Sequence, residues 1–212
     1  MAKFTFKIGE AFPASDPVAR FITVLAMISN DWLRSFQDML GLDDADPDSG
    51  GRSVALFRQQ AALHHEAAVF IREARRRFVE VNDFIASLPP EAQRDCDRIV
   101  GGIVPASPNY HGDWLATHRN MTFHYPEMHP EITAALESAA QRESSIEAGS
   151  YVGSVRFRFA DEVAVQWLPA APERRAILDR LTESVRALVR FADEAIWMYM
   201  NSRPSGTFTG HP

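Results

Sequence analysis

Hydrophobic positions recur at helical spacing over most of this chain. In "DPVARFITVLAMISNDWLRSFQDMLG", Val18, Phe21, Ile22, Leu25, Ile28, Trp32, Leu33, Phe36 and Leu40 form a wide apolar stripe. Asp16 supplies a cap, Pro17 suits the first helical position, and Gly41 closes the helix. Residues 52–88 contain no Gly or Pro before a Pro-Pro pair. Phe57, Ala61, His64, Ala68, Ile71, Phe78, Val81, Ile85 and Leu88 fall on one side of this stretch. The pattern predicts one long helix of about 55 Å, straight or bent. A short helix is expected around 90–100, then a loop through "GGIVPASPN". Further helices are expected over about 110–125, from Pro130 to about 147, and from Pro172 to about Ser202. The last carries Ile177, Leu181, Val185, Leu188, Ala192 and Ile196 on its inner stripe.

The period changes once. In "SVRFRFADEVAVQWLP", Val155, Phe157 and Phe159 alternate with Arg156 and Arg158, and Val163, Val165 and Trp167 alternate again. This reads as a β-hairpin within 151–168. The expected fold is mainly α: an up-and-down helical bundle with a β-hairpin inserted near residues 154–168. Residues 1–202 would form one domain, and 203–212 a disordered tail.

Composition changes this picture little. The 212 residues are 46% hydrophobic, 24% charged and 10% aromatic, enough for a core of ordinary size. The net charge of −6 argues against a coat of bound nucleic acid but allows a local basic cleft. Cys96 is the only cysteine, which excludes an intrachain disulfide and suits a reducing compartment. No apolar run approaches the roughly 18–20 residues of a membrane span, and the first residues lack the apolar core of a signal peptide. A cytoplasmic protein with no membrane partner is expected. The acidic loop "LDDADPDSGG" does not complete a calcium site, because Pro47 interrupts it and Ala55 stands where the closing Glu belongs.

Candidate chemistry concentrates in "HRNMTFHYP", residues 118–126. On a helical wheel Trp114, Leu115, His118, Met121, Thr122 and Tyr125 collect on one face. Ala116 and Phe123 point the other way, flanked by Arg119, Asn120 and His124. An apolar strip with such flanks suits an interface between two copies. Pro126 ends the helix, so His124 sits among free carbonyls that favour its protonated form. Such a His can shuttle protons near neutral pH, and Arg119 offers a fork that fits phosphate. Neither is a nucleophile, so the pair suits a substrate carrying its own, as RNA does in its 2′-hydroxyl.

The "RNMTFH" stretch resembles the Arg-x(4–6)-His signature of the HEPN superfamily (higher eukaryotes and prokaryotes nucleotide-binding domains). A polar residue follows the Arg in that pattern, and Asn120 supplies it here. The resemblance implies a helical homodimer that cleaves RNA without metal or cofactor, in a toxin or phage-defence role with an antitoxin partner. By that resemblance Arg119 steadies the phosphate, His124 is the general acid or base, and Asn120 orients them. Some HEPN-like domains are non-catalytic, so a helical-bundle binding or regulatory protein is the alternative.

Two other groups invite a reading. Arg72 and Arg76 on the long helix, and Arg156 and Arg158 on the hairpin, would extend an RNA-phosphate track or else face solvent with local acidic partners. His64, His65 and Glu66 could join His111 and His118 at a metal, although the usual ligand spacings are absent and hydrogen-bonded core-edge histidines are the simpler reading.

Overall fold

A computed structural model describes residues 3–41, 49–110, 112, 136–142, 144, 146–147, 156–157, 160, 163, 171–204, 207 and 209–211. Among them the chain is mainly α. In order it forms β1 (Lys3–Thr5), α1 (Ile8–Ala11), α2 (Pro17–Leu40), α3 (Ser49–Arg77), α4 (Val79–Ser87), α5 (Pro90–Gly101), β2 (Ile146–Glu147), β3 (Arg156–Phe157), α6 (Ala171–Ser202) and β4 (Thr209–His211).

Local chemistry sets several of these boundaries. The Val18 amide donates to Asp16 Oδ1 at 2.8 Å, so the expected cap of α2 is made. The Gly41 amide donates to the Gln37 carbonyl at 3.0 Å as the helix ends. Pro90 opens α5, where its missing N–H costs nothing. Gln93 reaches back from α5 and donates to the Leu88 carbonyl at 2.7 Å and the Ala86 carbonyl at 2.9 Å, satisfying acceptors at the end of α4.

Four helices make the core. α2 packs on α3 and α6, and α5 also packs on α3 and α6, so α2 and α5 occupy opposite corners. Neighbouring helices run antiparallel. Phe21, early in α2, stacks on Phe70, late in α3, at 5.6 Å. Asp95 and Arg98 of α5 meet Arg190 and Glu183 of α6 in reverse order. Tyr199, at the end of α6, bonds Asp16 just before α2. The shared centre holds Ile22, Leu25, Ile71, Ile99, Leu188 and Phe191, all buried. No described helix is long and apolar enough to cross a membrane.

Several expectations need correction. The stretch 52–88 is not one helix. Phe78 adopts an extended backbone (φ −125°, ψ 110°), and the chain restarts as α4. That redirection leaves Phe78 exposed beneath the Arg20 guanidinium, 5.7 Å from its ring centre, while Val81, Ile85 and Leu88 are buried. The hairpin within 154–168 does not form as expected. Arg156–Phe157 pairs with Ile146–Glu147 upstream, and Val163 is helical. Alternation marks a strand but does not choose its partner. The helix expected to reach 147 stops short: its described helical part is residues 136–139, followed by a turn, and Ile146–Glu147 is a strand. The tail is not wholly disordered, because Thr209–His211 pairs antiparallel with Lys3–Thr5. Leu33 and Leu40, placed on the inner stripe of α2, are 53% and 69% exposed. The acidic loop 42–48 and nearly all of the helix over 110–125 lie outside the described residues, as do the side chains of Ile177 and Leu181.

Candidate functional site

Arg119, Asn120 and His124, with the interface residues Ala116 and Phe123, lie outside the described residues, as does Arg158. The other candidates can be placed. Arg72 and Arg76 are exposed on the last turns of α3. Glu73 gathers the charges around them: Arg76 at 2.8 Å, Arg77 at 3.4 Å and Arg72 at 3.6 Å. The Arg76 hydrogen bond, reinforced by the three positive charges, holds the Glu73 carboxyl below the usual range. Arg75 turns the opposite way, donating to Asp97 of α5 at 2.9 Å and approaching the Cys96 sulfur at 3.7 Å. The arginine run is therefore divided between a solvent face and an interhelical tie. Arg156 stands opposite Glu147 in the β2–β3 register.

The histidines of α3 are also accounted for. His64 is fully buried and its Nε2 lies 2.8 Å from the Ser184 hydroxyl of α6, across the diagonal of the bundle. This is a serine–histidine contact, but both side chains are shut away from solvent. It joins two helices rather than meeting a substrate. His65 lies 3.7 Å from Glu66. Among the described residues no three His, Cys, Asp or Glu side chains converge as a metal site. His111, His118, His124 and His129 are not among them.

An open groove of about 840 Å³ runs between α2, α3 and α6. Trp32, Leu33 and Phe36 form one wall, Phe57 and Gln60 part of the floor, and Val185 and Val189 the other wall. Arg186, Arg190 and Asp193 supply charge along α6. Trp32 stacks on Phe36 at 5.9 Å, and its indole N–H is buried with no hydrogen-bond partner among the described residues. Arg190 is already committed: it grips both carboxylate oxygens of Asp95 at 2.8 and 2.7 Å. The residue is a fixed wall of the groove rather than a free cation. Sequence reasoning missed this groove. The signal was present in Leu33 and Val189, apolar positions at the margins of stripes whose neighbours already filled the core.

Comparison with family models, with curated proteins and with solved structures gives no match.

Proposed function

We propose that the chain is an HEPN-like ribonuclease that cleaves RNA without a metal, two copies meeting around Ala116 and Phe123. The observation that carries this reading is the segment Arg119-Asn120-x3-His124, cut short by Pro126, in a chain whose described residues form an antiparallel helical bundle. The RNA 2′-hydroxyl attacks the adjacent phosphorus as a base takes its proton. The bond from phosphorus to the 5′-oxygen breaks, and that oxygen takes a proton from an acid. The products end in a 2′,3′-cyclic phosphate and a 5′-hydroxyl. His124 carries protons in this scheme, Arg119 balances charge on the phosphorane, and Asn120 orients the pair. Arg72, Arg76 and Arg77 share one carboxylate, so the end of α3 keeps positive charge for RNA phosphates. A toxin or phage-defence role with an antitoxin partner accords with such an activity.

The test is cleavage of mixed RNA in excess chelator, with the product ends identified by mass spectrometry. Cyclic phosphate ends are expected. His124→Ala or Arg119→Ala is expected to lower the rate by about 10²-fold or more with the helical signal unchanged. Cleavage only on adding a divalent ion, or full activity in both variants, refutes the proposal. The second reading is a non-catalytic binding protein, favoured by the open groove beside Trp32. It takes precedence if the purified chain leaves RNA intact.

A further inference from the structure

The groove has one wall whose charges complement themselves. Arg186 and Asp193 both line it on α6, seven residues apart. That spacing is two helical turns, about 10.5 Å along one face. Val189 lies between them, 38% exposed, and Leu33 of α2 stands exposed on the opposite wall. Trp197, two turns beyond Arg190, is 47% exposed on the same side of α6.

A second copy of α6 laid antiparallel, with the two-fold axis between Val189 and Arg190, brings each Arg186 opposite the Asp193 of the other copy. The same axis sets Trp197 over the Thr182 end of the other groove. Arg186 is paired within its own chain but only partly neutralised. Glu183 serves Arg98 at 3.1 Å as well as Arg186 at 2.9 Å, so the two arginines share one carboxylate. Asp193 has no ion-pair partner among the described residues. Arg190, which falls at the axis, is neutralised by Asp95 within its own chain and offers only its apolar stem. A self-complementary patch of this kind is what a closed two-fold contact requires.

We propose that the α2–α6 groove is a self-association face, filled by α6 of a second copy in antiparallel register. The proposal depends neither on pairing around Phe123 nor on ribonuclease activity.

The test is the mass of the full chain in solution, by sedimentation at micromolar concentration and low salt, for four proteins: wild type, Arg186→Asp, Asp193→Arg and the double exchange. A single exchange turns two attractions into two repulsions. Self-association is expected to weaken about tenfold or more, so that near the wild-type dissociation constant, where about half the wild-type chains are paired, the variant is mostly monomeric. The double exchange restores opposite charges and is expected to restore the mass. If a Phe123 contact also joins copies, the assembly is larger and the same exchange still lowers its mass. Circular dichroism of each variant checks folding, since both side chains sit at the surface. A monomeric wild type, single exchanges that keep the wild-type mass, or a folded double exchange that stays small overturns the proposal.

Discussion

Replacing Arg190 by Ala should destabilise the bundle more than replacing its partner, Asp95. The asymmetry follows from burial: the Asp95 side chain is 12% exposed and that of Arg190 55% exposed. Without the guanidinium, a carboxylate held at the α5–α6 contact loses two charge-assisted hydrogen bonds and stays poorly hydrated. That situation costs about 2 kcal/mol, below the range for a fully buried pair because the arginine was half in water. Removing Asp95 instead leaves an arginine that can swing into solvent, at a cost of about 1 kcal/mol. The variant lacking both has no stranded charge, so it should be about 1 kcal/mol more stable than Arg190→Ala alone. Urea unfolding followed by circular dichroism measures all four proteins, with a common slope expected. In thermal melts of a chain this size each kcal/mol corresponds to about 2–4 °C. If the two single losses simply add, or if Asp95→Ala is the worse variant, the reasoning from burial is wrong.

Two further outcomes rest on titration. The Tyr199 hydroxyl lies 3.1 Å from Asp16 Oδ2 and 3.2 Å from the Ala11 carbonyl; burial, and then the Asp16 carboxylate, push its pKa up to about 12. The folded state holds this proton more tightly than the unfolded state, so its contribution is complete below about pH 10 and lost towards about pH 12. Tyr199→Phe should flatten that part of the stability profile, and a curve unchanged by the substitution contradicts the assignment. Burial pushes the Cys96 thiol up to about 11, so a thiol reagent at pH 8 should label it only as fast as the bundle opens. Rapid labelling of folded protein rules this out.

The helices were legible because their signals are local. Asp16 and Pro17 mark the start of α2, and Leu188 and Ala192 mark the buried side of α6, where the structure has them. The interruption at Phe78 was not legible. No Gly or Pro announces it, and it arises where α4 turns to lay Val81 and Ile85 into the core. Strand pairing was misread for a related reason. Alternation around Phe157 is a property of the segment, whereas its pairing with Ile146 depends on where the chain between them runs. The pairing of Thr209–His211 with Lys3–Thr5 joins residues about 200 positions apart, beyond any window of sequence. The candidate site divides the same way. The residue pattern at 119–124 is readable as chemistry, while the groove beside Trp32 exists only because three helices meet imperfectly.

The position of α6 at the corner between α2 and α5 has a consequence for how the bundle is made. On the ribosome α2, α3, α4 and α5 emerge long before residue 171, with the surfaces around Leu25 and Ile99 uncovered. Closure must await synthesis of α6, which makes a late, long-range docking step the event that shields the nascent chain. Stalled nascent chains lacking α6 should therefore engage chaperones and yield to protease, and protection should rise once α6 has cleared the exit tunnel.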